Sequence, residues 1–278
     1  MTRRTRSIGR TGHTRRASTS VLLLLTTTLT TAVTTGCATL GLEHPPTAAP
    51  ATPTVVRPSA TPTAAASGGP TSALTEAQAH AALITDTDLG APWTPTRGAA
   101  TWRDGMLKAT TATPDCQKLL DALYADELLG GPARAVVALD DPDTGAQLRY
   151  QLTGNPPAAV DRTLAWLKTM PQTCARFTAK ATGDAVLDVQ VSELPLPEVG
   201  DVRQGLRVTL TIWAATGENA GGDPTVLTLD VAAVRTGEDA FALTNGGLAD
   251  APNEATQAAV QLGVRRLADV RKQGRVQV

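Results

Sequence analysis

Ala135-Val136-Val137-Ala138-Leu139, then Asp140-Asp141-Pro142-Asp143-Thr144-Gly145, then Ala146-Gln147-Leu148-Arg149-Tyr150-Gln151-Leu152 is the stretch that decides the fold. Ala135, Val137 and Leu139 fall on one side of an extended chain. Leu148, Tyr150 and Leu152 repeat that pattern beyond a break rich in Asp, Pro and Gly. Period-two alternation on both sides of such a break is a hairpin signature. The same rhythm returns at Leu187, Val189 and Val191, and at Leu206, Val208, Leu210 and Ile212. Leu227, Leu229 and Val231 then lead through Thr236-Gly237 to Phe241 and Leu243. With a short run after Cys174, about seven strands follow, joined mostly by hairpin-length connections.

Between and around these runs the apolar period lengthens to that of a helix. Thr75-Glu76-Ala77-Gln78 reads as a capping box opening a helix to about Ile84, with Leu74 as its staple residue. Thr113-Pro114 opens a second helix carrying Cys116, Leu119, Leu120 and Leu123. Asn155-Pro156 opens a third, with Val160, Leu164 and Leu167 on one face. The last runs from near Pro252 to Arg271, with Val260, Val264 and Leu267 inward. Helices set against a mostly antiparallel sheet of about seven strands make an α+β fold.

Upstream the chemistry changes. Residues 1–36 hold Arg3, Arg4, Arg6, Arg10, Arg15 and Arg16 and no acid, followed by an apolar run from Val21 through Leu25 that threonine dilutes towards Val33. This is the layout of a bacterial signal peptide. The run is too short and too rich in threonine for a bilayer-spanning helix, which needs about 20 apolar residues. It ends in Val33-Thr34-Thr35-Gly36-Cys37, which resembles the lipobox of bacterial lipoproteins, with Cys37 acylated as the new N-terminus. Thr14-Arg15-Arg16 is a weak twin-arginine signal, and the export route stays open. Without residues 1–36 the chain carries 19 basic against 26 acidic side chains. That balance argues against nucleic acid as a partner.

Cysteine arithmetic agrees with lipidation. Three cysteines are an awkward number outside the cell; with Cys37 lipidated, Cys116 and Cys174 remain as a pair in an oxidising compartment. A structural disulfide between them would tie the second helix to the start of the strand near Phe177. Residues 37–72 comprise the lipidated cysteine and a tether dominated by Pro, Thr and Ala, as in Pro45-Pro46-Thr47 and Thr61-Pro62-Thr63. Such a segment is extended, and about 30 residues at roughly 3.1 Å each reach on the order of 90 Å. Residues 73–278 form the folded domain.

The order of elements carries a family resemblance. Leu83-Ile84-Thr85-Asp86-Thr87-Asp88-Leu89-Gly90 follows the capped first helix, and Pro114-Asp115-Cys116 opens the second. A helix containing Trp166 precedes Cys174-Ala175-Arg176-Phe177, and Gly200-Asp201 precedes a long strand. Together these features resemble the PknH-like extracytoplasmic sensor domain, found on mycobacterial receptor kinases and as stand-alone actinobacterial lipoproteins. The resemblance implies a sensing or ligand-binding domain with a sheet, flanking helices and a cleft. The kinase version is generally held by two disulfides, whereas this chain has cysteines for one. It also lacks a kinase glycine loop and catalytic loop.

Catalytic constellations are scarce. The folded region has one histidine, His80, on the outer side of the first helix, and one serine, Ser192, outside any GxSxG elbow. HExxH, Walker A and a dinucleotide glycine motif are all missing, and neither a cofactor nor a metal is expected. Asp141, Asp143 and Gly145 faintly echo a calcium loop, but Leu152 stands where the bidentate glutamate belongs, and a tight turn explains them. Glu193, Glu198 and Asp201 gather around Pro195 and Pro197, where a glycosidase pair would be placed if the chain were a hydrolase. Arg265, Arg266, Arg271, Lys272 and Arg275 complement the dipole of the last helix or meet anionic phosphate. Trp213, on the strand face opposite Leu210, is either an exposed ligand contact or core beneath a helix.

The expected protein is therefore a non-catalytic, membrane-anchored lipoprotein on the extracytoplasmic face. Its domain would sense or bind a wall-associated, small apolar or protein ligand whose contact residues are unassigned. An envelope hydrolase using the loop carboxylates and a scaffolding lipoprotein are the two rivals.

Overall fold

The computed structural model describes residues 73–98, 100, 102–183, 185–213, 223–248 and 253–276. The proposed signal peptide, Cys37 and the tether lie outside them. All described residues belong to one compact unit spanning 64–278.

Eight strands form a single sheet: β1 (Thr94–Pro95), β2 (Ala133–Asp141), β3 (Ala146–Thr153), β4 (Arg176–Lys180), β5 (Val186–Glu193), β6 (Val202–Ile212), β7 (Thr225–Thr236) and β8 (Asp239–Gly247). Their order is β1-β2-β3-β8-β7-β6-β5-β4, and every pairing is antiparallel. The α+β reading holds, with eight strands in place of about seven. The extra strand, β1, is two residues long and pairs Thr94 with Asp140; it is too short for an alternation to show in the sequence.

The β2–β3 hairpin pairs Leu139 with Leu148 and Val137 with Tyr150. Its turn is set by Asp141, whose Oδ1 accepts from the Asp143 and Thr144 N–H groups and whose Oδ2 accepts from Thr144 Oγ1 at 2.8 Å. An aspartate that closes its own turn in this way accounts for the Asp-Pro-Asp-Thr-Gly motif without calcium.

Five α-helices and one π-helical turn cover the sheet: α1 (Glu76–Ala81), α2 (Asp86–Leu89), the π turn (Arg103–Leu107), α3 (Pro114–Tyr124), α4 (Pro157–Thr173) and α5 (Asn253–Val276). Both halves of the Thr75/Gln78 capping box form. The helix stops at Ala81, short of Ile84, because a second capping box at Thr85 and Asp88 starts α2.

Strand alternation sends side chains to two separate cores. On one face Leu187, Val189, Val191, Leu206, Val208, Leu210, Leu227 and Leu229 pack with α3, α4 and the π turn. On the other, Leu139, Leu148, Tyr150, Leu152, Val234, Phe241 and Leu243 pack with α1 and α5. The central β7 and β8 are buried on both faces, so they read as near-continuous apolar runs, Val231-Ala232-Ala233-Val234 among them. The predicted Cys116–Cys174 disulfide is present and joins α3 to the C-cap of α4, immediately before β4.

The last helix departs from its sequence reading. It extends to Val276, and its fully inward stripe contains Thr256, Ala259, Val260, Gly263, Leu267 and Val270. Val264, expected inward, is only half-buried beside that stripe. Gly263 takes the central place because the aromatic pair Tyr150 and Phe241, with ring centroids 5.0 Å apart, fills the space under the helix.

Candidate functional site

The largest cavity among the described clefts, about 690 Å³, opens between α4 and the β5–β6 connection. Asp161, Leu164, Ala165 and Lys168 form one wall. Their spacing of three, four and seven residues places them on one stripe of α4. The facing wall is Glu193 to Leu196 together with Asp201 to Gly205 at the start of β6.

The connection keeps this shape through specific backbone contacts. Leu194 N–H donates to Gly205 O at 3.1 Å, and Asp201 N–H donates to Arg235 O at 2.8 Å. A Cβ on Gly205 would overlap the Leu194 carbonyl, so only glycine lets the loop lie this close to β6. Pro195 and Pro197 stiffen the loop between those anchors. Gln257 of α5 donates to Pro195 O at 2.7 Å from the other side.

Arg235 organises the charge. Its Nε donates to Asp161 Oδ1 at 2.6 Å, and its Nη1 lies 3.4 Å from Asp201 Oδ2 and 3.0 Å from Gly237 O. Asp201 Oδ2 also accepts the Gly237 N–H at 2.7 Å. One guanidinium thus ties α4, the β5–β6 connection and the β7–β8 turn together. Of the three acids named from sequence, Glu193 and Asp201 line the cleft. Glu198 does not; it is 94% exposed and 3.5 Å from Arg203. Asp161 and Asp201 are both held by Arg235, on opposite walls of the cleft.

The lining is mixed, with Leu164, Leu194, Leu196 and Val202 beside Lys168, Glu193, Arg203 and Gln204. The sequence left the ligand open among wall-associated, small apolar and protein classes, and a lining of this kind offers both apolar and polar contacts. A molecule with both apolar and hydrogen-bonding parts matches it.

The other candidates fall elsewhere. His80 and Ser192 are exposed on α1 and β5. Among the described residues no group of three or more His, Cys, Asp or Glu is placed to hold a metal, and no helix is long and apolar enough to cross a membrane. Two of the five terminal cations are committed within the fold. Arg266 binds Asp88 with Nη2 2.7 Å from Oδ1, and Arg271 binds Asp239 with Nε 2.6 Å from Oδ2. Trp213 is 61% exposed, which settles its alternatives in favour of the surface.

Sequence reading missed one polar cluster. Asp230, fully buried on β7, accepts two hydrogen bonds from Arg207 at 2.7 and 3.1 Å and a third from Thr256 Oγ1 at 3.2 Å. Asn245 donates to the same threonine at 3.1 Å. The only signal was Asp230 between Leu229 and the apolar run Val231-Ala232-Ala233-Val234. A buried carboxylate with three donors is satisfied, and it fastens α5 to β6, β7 and β8.

No family model matches the chain, and no curated protein matches it. Among solved structures the chain is similar to the extracellular domain of PknH from Mycobacterium tuberculosis, at 16% identity and a TM-score of 0.43. That match covers 71% of this chain and 98% of the other. A likeness this loose transfers neither residue roles nor activity.

Proposed function

We propose that the chain is an extracytoplasmic lipoprotein, anchored through Cys37, whose domain binds a small amphiphilic ligand in the α4/β5–β6 cleft without transforming it. The observation that carries the reading is the cleft itself, whose roughly 690 Å³ lies within the size range of small-molecule sites. The bonded Cys116–Cys174 pair supports an oxidising compartment. The engagement of Asp161 and Asp201 by Arg235 supports binding over hydrolysis. A defined concavity supports a ligand over a purely scaffolding role.

The test uses the whole chain and one blocking variant. Ala165 is exposed on α4 at the rim of the cleft, so Ala165→Trp fills it with little disturbance to the core. Full-length protein equilibrated with a cell-envelope extract, then washed and analysed by mass spectrometry, should retain a compound that Ala165→Trp does not. Equal retention by both proteins, or none by the wild type, rejects the cleft as the site.

A further inference from the structure

The sheet is covered unequally. α4 packs over β5, β6 and β7 on one face, whereas on the other α5 packs on β7 and β8 and α1 on β2. On the second face of β4, β5 and the Thr209–Thr211 part of β6 the described side chains are exposed or half-buried, whereas nearer its start β6 is tied to α5 through Arg207 and Asp230. The strand register defines what is displayed there. Thr178 pairs with Asp188 and Asp188 with Thr211 in one row; Arg176, Gln190 and Thr209 form the next. Lys180 pairs with Val186 at the end of the sheet, and Trp213 follows β6 one residue beyond Ile212, the partner of Leu187. Continuing the alternation of Thr209 and Thr211 by one step places Trp213 on the same face, at the end of the sheet where Val186 lies. The two are 61% and 55% exposed, so an indole and an isopropyl group both present apolar surface at the margin of a field of hydroxyl and amide side chains.

The charges on this face are largely matched internally. Arg176 Nη2 lies 3.1 Å from Asp188 Oδ2, and Arg207 is held by the buried Asp230. Such a surface is wrong for nucleic acid, which needs unpaired cations in excess. It is also wrong for the core of a protein interface, which is apolar and aromatic throughout. What complements it is a neutral polyhydroxylated chain, with C–H faces to stack on an indole and hydroxyls to exchange hydrogen bonds with Thr, Gln and a paired carboxylate. The strands hold those groups about 4.8 Å apart within a row, with successive rows about 6.6 Å apart, so little ordering cost remains at binding.

We propose that the open face of β4–β6 binds a neutral glycan chain, with Trp213 as the stacking platform and Gln190, Thr209 and Thr211, from two adjacent rows, as the hydrogen-bonding groups. This site lies at the opposite end of β5 and β6 from the α4 cleft and stands independently of it.

Trp213 also supplies the readout. The chain has four tryptophans; Trp93 and Trp102 are each 8% exposed and Trp166 is half-buried, so aqueous iodide quenches Trp213 preferentially. Full-length protein is titrated with two neutral β-linked hexasaccharides, one of glucose and one of N-acetylglucosamine. At least one should shift the emission to the blue and protect it from iodide. Trp213→Ala, read by calorimetry, should weaken binding roughly tenfold or more, the scale of losing an aromatic anchor. Trp213→Phe should recover part of that loss, and Thr209→Val with Thr211→Val should weaken binding while leaving the urea midpoint in place. Retention of any compound in the α4 cleft should be unchanged in Trp213→Ala. Protection by neither sugar overturns the proposal, as does binding indifferent to Trp213→Ala. A concentration-dependent dimer that Trp213→Ala abolishes also overturns it, because the face would then be covered by a second copy.

Discussion

Gly263 on α5 sits directly over the ring of Tyr150 on β3, so close that a Cβ there would lie 2.8 Å from both Tyr150 Cε2 and Tyr150 Oη. Phe241 Cζ would be equally near. The phenol is fully buried with no hydrogen-bond partner among the described residues, and burial, with the Asp239 carboxylate beside it, pushes its pKa far up. Gly263→Ala gains helix propensity of about 1 kcal/mol, against an overpacking cost of about 1–3 kcal/mol. The side chains below are packed rings, so overpacking prevails and the urea midpoint falls. Tyr150→Phe removes a buried hydroxyl that satisfies nothing, and it should leave stability unchanged or raise it. A lower midpoint for Tyr150→Phe contradicts this account of the contact.

Cys116 and Cys174 are 58 residues apart in sequence. Replacing both with serine should lower stability by roughly 2–5 kcal/mol, the usual effect of removing a native bridge. Chemical denaturation of the double variant measures it. Thiol titration of denatured wild-type protein from the envelope should find neither residue free.

Asp88 gives the fold a dependence on acid. Burial pushes its carboxyl up, but hydrogen bonds from Arg266 and from the Thr85 hydroxyl and N–H outweigh that, and its pKa is lowered in the folded state. A lowered folded pKa contributes stability that is present above the unfolded value, about 3.9, and is lost as pH falls through the folded value. The stability difference between wild type and Asp88→Asn should therefore be full near neutrality and vanish in strong acid. A difference that is constant with pH would show that the Arg266 pair contributes no titratable stability.

Cys37 is proposed as the acylated N-terminus. Growth with an alkyne-bearing palmitate analogue should label the wild type and not Cys37→Ala. Label in both proteins would place the lipid elsewhere, and label in neither would remove it from the description.

The sequence by itself determined most of the fold. Alternation from Ala135 to Leu152 specified a hairpin and its inward face, because with a side-chain period of two a one-residue slip would turn Leu148 and Tyr150 out of the core. Thr75 and Gln78 announced a helix start through groups three residues apart, and an odd cysteine left one pair to bond. Such signals are local, carried by neighbours along the chain. Of the cleft, Glu193 and Asp201 stood out as loop acids, but their partners did not, for the opposite reason. Arg235 lies 74 residues from Asp161 and 34 from Asp201 in sequence, and only the sheet brings α4, the β5–β6 connection and the β7–β8 turn to one end. The choice of Gly263 over Val264 for the centre of α5 likewise depended on rings supplied by β3 and β8. The exposure of Trp213 depended on which face of the sheet the helices left uncovered. Only tertiary structure decides such matters, because they are set by what lies across a gap and not by what lies next along the chain.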